Sequence, residues 1–117
     1  MKSAIPPLAT IIECIARIEQ YSAMGREVFL ANNMAQDAVV RNFEIIGEAA
    51  KRIPQQQRAG FPDIPWRSLT GFRDVLAHNY DRIELWEVWN VIERDLPPLK
   101  KAVQGILAAL KMDPSSL

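Results

Sequence analysis

The stretch "GFRDVLAHNYDR", Gly71 to Arg82, holds the only histidine of a 117-residue chain, His78. Arg73 precedes it by five residues and Tyr80 follows by two. A histidine titrates near neutral pH and can take or give a proton. A guanidinium can bind a phosphate and stabilise the extra charge that develops on it in a transition state. Arginine and histidine without a cysteine cluster or a metal-ligand cluster suit one reaction in particular. In metal-independent RNA cleavage the ribose 2′-hydroxyl attacks the adjacent phosphate. Taken singly, His78 reads as a helix-end residue and Arg73 as a solvated one; their combination gives the stretch its interest.

Geometry limits the combination. On a straight helix five residues turn about 500°, so Arg73 and His78 would point about 140° apart. If the helix ends near His78, as Asn79 and Asp81 suggest, then Arg73, His78 and Tyr80 could border one cleft. The reaction also wants a base and an acid, and one chain has one imidazole. A two-fold dimer has two, so a ribonuclease of this sequence should act as a dimer with both His78 and both Arg73 at the symmetry axis.

The elements that must position these residues are helical. Leu8, Ile11, Ile12, Ile15 and Ile18 predict a helix from Pro6-Pro7 to about Ala23, with a short helical segment in "REVFLAN". Val39, Val40, Phe43, Ile46, Ala50 and Ile53 predict the longest helix, about Met34 to Arg52. Gly47 inside it costs about 1 kcal/mol relative to alanine and suggests close approach of another helix. Glu44 and Glu48 repel at i,i+4 unless a basic group lies nearby, and Glu48 reads as part of that contact rather than as catalytic. Pro54 ends or kinks this helix, and "QQQRAG" could add another turn. Pro65 suits the first position of the next helix, which carries Trp66, Leu69, Phe72, Val75 and Leu76 to His78. Asp81, with Glu84 three residues on, resembles a capping box for a helix bearing Ile83, Leu85, Trp86, Val88, Trp89 and Ile92. Pro97-Pro98 breaks that helix, and a last one runs from about Leu99 to Leu110. The three tryptophans fall at spacings that favour core or interface over base stacking.

The expectation is one all-α domain over residues 1–117, an antiparallel bundle of about five helices with a frayed tail near 112–117. Fourteen basic and fourteen acidic side chains cancel, which argues against a protein that coats nucleic acid non-specifically. Cys14 stands alone in an apolar stretch, so it reads as a packing residue and permits no internal disulfide. No apolar run approaches the roughly 20 residues needed to span a bilayer, and "MKSAIPPLAT" makes a poor signal peptide. The expected location is the cytoplasm, with no metal and no cofactor.

"QDAVVRNFEIIGEAAKRIP" and "FPDIPWRSLTGFRDVLAHNYDRIELWEVWNVIERDLPPLK" resemble the HepT-like toxins of the HEPN superfamily. The signature Arg-x4-His-x-Tyr of those proteins falls on Arg73, His78 and Tyr80. The resemblance covers nearly the whole chain and implies a HEPN-like bundle that dimerises through the motif-bearing region. It implies a metal-independent endoribonuclease toxin of a type II or related toxin–antitoxin pair, with Arg73 and His78 catalytic and RNA the substrate. The implied partner is an MNT-type nucleotidyltransferase antitoxin, in a homodimer or a larger hetero-oligomer. That antitoxin would silence the toxin by transferring AMP to Tyr80, where added phosphates repel RNA. Asp74 and Asn79 stand as supporting residues. Asp74 replaces an asparagine common in relatives, and Pro98 adds to the commoner Pro97. The rival expectation is a non-catalytic helical module that complexes the nucleotidyltransferase and binds nucleotide or phosphate through Arg73.

Overall fold

A computed structural model describes residues 3–78, 81 and 83–112. Its described residues form seven helices and no strand: α1 (Ile5–Tyr21), α2 (Arg26–Ala31), α3 (Asn33–Arg52), α4 (Gln55–Arg58), α5 (Trp66–His78), α6 (Leu85–Arg94) and α7 (Leu96–Lys111). Five have ten or more residues, and these make the expected bundle of about five. The other two are the short turns foreseen in "REVFLAN" and "QQQRAG". Among the described residues no helix is long and apolar enough to cross a membrane.

The core follows the helical stripes. Leu8, Ile11, Cys14, Ile15 and Ile18 of α1 are fully buried, and α3 brings Val39, Phe43, Ile46 and Ala50 against them. Helix α3 is the central element, with α1 and α5 as its most extensive partners. The turn between α1 and α2 needs Gly25, whose φ of 96° is strained for any side chain. Asn32 then caps α3 by accepting the Ala35 N–H at 3.1 Å. Buried Gln36 donates to the Phe29 and Leu30 carbonyls at 3.0 and 3.1 Å, satisfying the end of α2. Ile53 is extended ahead of Pro54, as a residue preceding proline prefers, and α3 stops there.

Helices α3 and α5 run antiparallel. Phe72 meets Phe43 edge-on at 5.2 Å between centroids, and Leu69 and Arg73 approach Gly47 one turn further along α3. Leu76 is buried at the other end of the contact, beside Val40. Trp66 fixes the start of α5: its indole N–H donates to the Arg58 and Phe61 carbonyls, both at 3.0 Å. Pro65 lies one residue outside α5, with its carbonyl accepting the Leu69 N–H.

Three expectations change. Asp81 does not cap α6: that helix starts at Leu85 with Glu84 at its N-cap and no side-chain bond there, which leaves Ile83 outside it. Pro97-Pro98 does not separate the last two helices. The break falls at Asp95, and both prolines lie in the first turn of α7, where a missing N–H costs nothing. Trp86 is 49% exposed and Val75 39% exposed, so Val75 does not join the core as its spacing suggested, and of the two placements left open for Trp86, core or interface, the core is ruled out. Trp89 does pack, at 5.6 Å from the Phe29 ring, while its N–H donates to Glu93. Of the expected tail, residues 113–117 lie outside the described residues.

Candidate active site

Arg73 owes its position to Gly47. A Cβ on Gly47 would stand 2.1 Å from the Arg73 Cβ and 2.6 Å from its Cγ. Only hydrogen at position 47 lets the stem of Arg73 lie directly on the α3 backbone. The side chain is 23% exposed, half sunk between the helices. Its Nη2 pairs with Glu48, the residue after Gly47 on α3. Its Nη1 lies 3.3 Å from Asp74 Oδ1, and its buried Nε has no hydrogen-bond partner among the described residues.

Asp74 is shared. Lys51 Nζ, one turn beyond Gly47, lies 2.7 Å from the same Oδ1. The Lys51 hydrogen bond, helped by a weaker one from Arg73, holds the Asp74 carboxyl below its ordinary range. The shorter Lys51 contact draws the carboxylate away from Arg73. The guanidinium carries five N–H donors, so with Glu48 and Asp74 engaged it still has donors for a phosphate. The repulsion between Glu44 and Glu48 is relieved one residue at a time, by Arg41 at 3.7 Å and by Arg73.

His78 is the last residue of α5 and is exposed. Arg73 and His78 both lie inside α5, and the expected end of the helix at Asn79 falls outside the described residues. They stand about 7.5 Å apart along its axis and about 140° apart around it. Arg73 faces α3, whereas His78 faces solvent beyond the buried anchor Leu76. A single copy therefore gathers Arg73, Asp74, Glu48 and Lys51 but does not bring His78 onto the same helix face. Asn79 and Tyr80 lie outside the described residues. In the sequence Glu48 reads as part of the Gly47 contact and Lys51 as polar surface. Their signal was the glycine beside them, because a close helix crossing at position 47 puts positions 48 and 51 against the partner helix.

The family model for HepT-like ribonucleases matches residues 11–106. Helices α3 and α5, with Arg73 and His78, fall wholly inside that span. The chain is 36% identical to a protein named "Putative RNase" of Caldanaerobacter subterraneus subsp. tengcongensis, over 92% of this chain and 96% of that one. It is 39% identical to a "Probable ribonuclease HepT" of Thermococcus cleftensis, over 80% of this chain and 86% of that one. A protein of Methanocaldococcus jannaschii named "Gamma-glutamylcyclotransferase and putative RNase" is 38% identical over 86% of this chain. The chain spans just under half of that relative, 46% of its length. No solved structure matches. An all-helical bundle, a family match over most of the chain and a relative matched almost end to end agree: the chain belongs to the HepT-like ribonuclease family.

Proposed function

We propose that the chain is a metal-independent endoribonuclease, the toxin of a type II or related toxin–antitoxin pair. The observation that carries this reading is the pairing of a half-buried, carboxylate-anchored Arg73 with an exposed His78 on one rigid helix. Arg73 holds the scissile phosphate and the charge gathered on it during attack. One His78 removes the proton from the 2′-hydroxyl, whose oxygen bonds to phosphorus. The bond from phosphorus to the 5′-oxygen breaks, and the second His78 of a dimer protonates that leaving oxygen. The products are a 2′,3′-cyclic phosphate and a 5′-hydroxyl, and no oxidant or metal enters the balance. Exposed Val75 and Trp86, on either side of the His78 region in sequence, supply apolar surface that a second copy would cover. Tyr80, two residues past His78, is the proposed acceptor of AMP from an MNT-type nucleotidyltransferase, which would put negative charge where RNA must enter.

Purified protein should cleave RNA in EDTA and leave cyclic phosphate ends, and His78→Ala should abolish this while leaving the fold intact, since His78 is exposed. Full cleavage by the pure His78→Ala protein would remove His78 from the mechanism. The carboxylates on Arg73 favour one second reading, a non-catalytic module that complexes the nucleotidyltransferase. Wild-type protein that folds, binds that partner and cleaves no RNA would establish it.

A further inference from the structure

A second basic site lies at the other end of α5. A pocket of about 430 Å³ opens between α4 and α5, lined by Gln55, Arg58, Pro62, Trp66, Arg67 and Thr70 among others, with no acidic side chain in its lining. Neither Arg58 nor Arg67 has a carboxylate within ion-pair distance among the described residues. Among the described residues the Arg58 Nε is buried without a hydrogen-bond partner, a cost that nothing within them offsets. Trp66 forms one wall, its ring held by the two hydrogen bonds from its N–H. Exposed Arg52 precedes the pocket's Gln55 by three residues. The zero net charge of the chain thus conceals a local excess of cations beside a fixed aromatic ring.

The geometry points to a strand-binding subsite: Arg58 and Arg67 hold a backbone phosphate of single-stranded RNA, with Trp66 offering a face to a base. This inference rests on the ribonuclease reading and adds to it the class of substrate, a strand longer than the scissile step. Unneutralised arginines with an aromatic platform are the components of sequence-tolerant single-strand binding. Arg67 and Arg73 are six residues apart on one helix, about 9 Å along its axis and about 120° apart around it. A strand bound at both winds partly around α5, and at about 3.4 Å per nucleotide the subsite engages a phosphate at least three nucleotides from the one at Arg73. The carboxylates flanking Arg73 make such remote binding useful, since they weaken what Arg73 alone can hold.

The test uses full-length protein, an eight-nucleotide RNA and a dinucleotide. In a His78→Ala background, Arg58→Gln/Arg67→Gln should weaken binding of the eight-nucleotide RNA at least tenfold. The slope of log affinity against log salt should flatten by about 0.7 for each phosphate that the variant no longer neutralises. In otherwise wild-type protein the same pair should raise KM for the longer RNA far more than for the dinucleotide, with kcat changing less. Arg67→Gln alone alters an exposed side chain and keeps the test decisive if Arg58 variants fold poorly. An unaltered affinity and salt slope, or an equal rise in KM for both substrates, overturns the subsite. So does a change in self-association or partner binding with RNA affinity intact. If wild-type protein binds RNA through these arginines but cleaves none, the ribonuclease reading fails and the subsite stands.

Discussion

Replacing Gly47 by alanine tests the logic of the site with a single methyl group. That methyl would lie 2.1 Å from Arg73 Cβ, 2.6 Å from Arg73 Cγ and 3.2 Å from the Leu69 carbonyl oxygen. Non-bonded carbons settle about 3.5–4.0 Å apart, so α5 must retreat from α3 by roughly 1.5 Å at Arg73. The near atom is a Cβ, fixed to the α5 backbone, so no rotamer change relieves the clash. Overpacking of this kind costs about 1–3 kcal/mol, and alanine in a helix interior returns about 1 kcal/mol. The net loss of stability is about 0–2 kcal/mol, small enough for a folded protein. Activity should suffer more, because a displacement of about 1 Å can cost about a hundredfold in rate. Gly71→Ala is the control: it lies on α5 too, but its added Cβ meets nothing within 4 Å. It should gain up to about 1 kcal/mol from helix propensity and keep full activity. The assay is urea unfolding of both variants beside RNA cleavage at equal folded concentration. Wild-type cleavage by Gly47→Ala would refute the claim that this helix crossing sets Arg73.

The remaining predictions concern charge and burial. Asp74 has a carboxyl pKa depressed by Lys51 and Arg73, so its contribution to stability is present above the unfolded value of 3.8 and lost as pH falls through the lower folded value. The stability difference between wild type and Asp74→Asn in urea unfolding should therefore be level at neutral pH and shrink in acid; a difference unchanged down to strong acid contradicts the pairing. Lys51→Ala frees Asp74 to close on Arg73 and should raise KM for RNA by about two- to fivefold, the scale of an exposed ion pair, whereas Asp74→Asn/Lys51→Ala should not. An identical KM in the single Lys51→Ala variant argues that Lys51 does not steer the carboxylate. Cys14 is fully buried and its thiol is pushed up by that burial, so thiol reagents at pH 8 should label it only through opening of the bundle, and rapid labelling of native protein contradicts its place in the core.

Much of this fold was legible in the sequence because helical periodicity is a local signal. The α3 stripe of Val39, Val40, Phe43, Ile46 and Ala50 sits inside as its spacing requires, and Gly47 marks a crossing because a helix interior seldom carries a glycine without reason. What failed to show was either degenerate locally or set by distant contacts. Two prolines can end one helix or begin the next, and only the packing of Leu96 and Leu99 selects the second for α7. Asp81 and Glu84 have the composition of a capping box, yet α6 starts at Leu85. Val75 and Leu76 are adjacent apolar residues on α5, and the sequence cannot tell which one faces α3. The charge partners were only partly legible: Gly47 flagged Glu48 as part of the contact, but that Glu48 meets Arg73 and Lys51 meets Asp74 follows from the α3–α5 register, which no local pattern encodes.

That register also accounts for the arrangement of charge. An arginine stem packed on a glycine is rigid, but a guanidinium half sunk between helices needs acceptors or it stays undersolvated. Glu48 and Asp74 supply them, while competing with any phosphate. Lys51 moderates the competition by taking the nearer contact to Asp74. The result is a guanidinium oriented by two carboxylates, neither of which exhausts its five donors. His78 lies outside this cluster on a different face of the same helix, so the helix that fixes both residues also keeps them apart. In the proposed reaction, a second copy that sets its His78 end against the Arg73 face brings phosphate binding and proton transfer to one point. The angular separation of Arg73 and His78 thus supports the proposed dimer by an argument separate from the count of imidazoles.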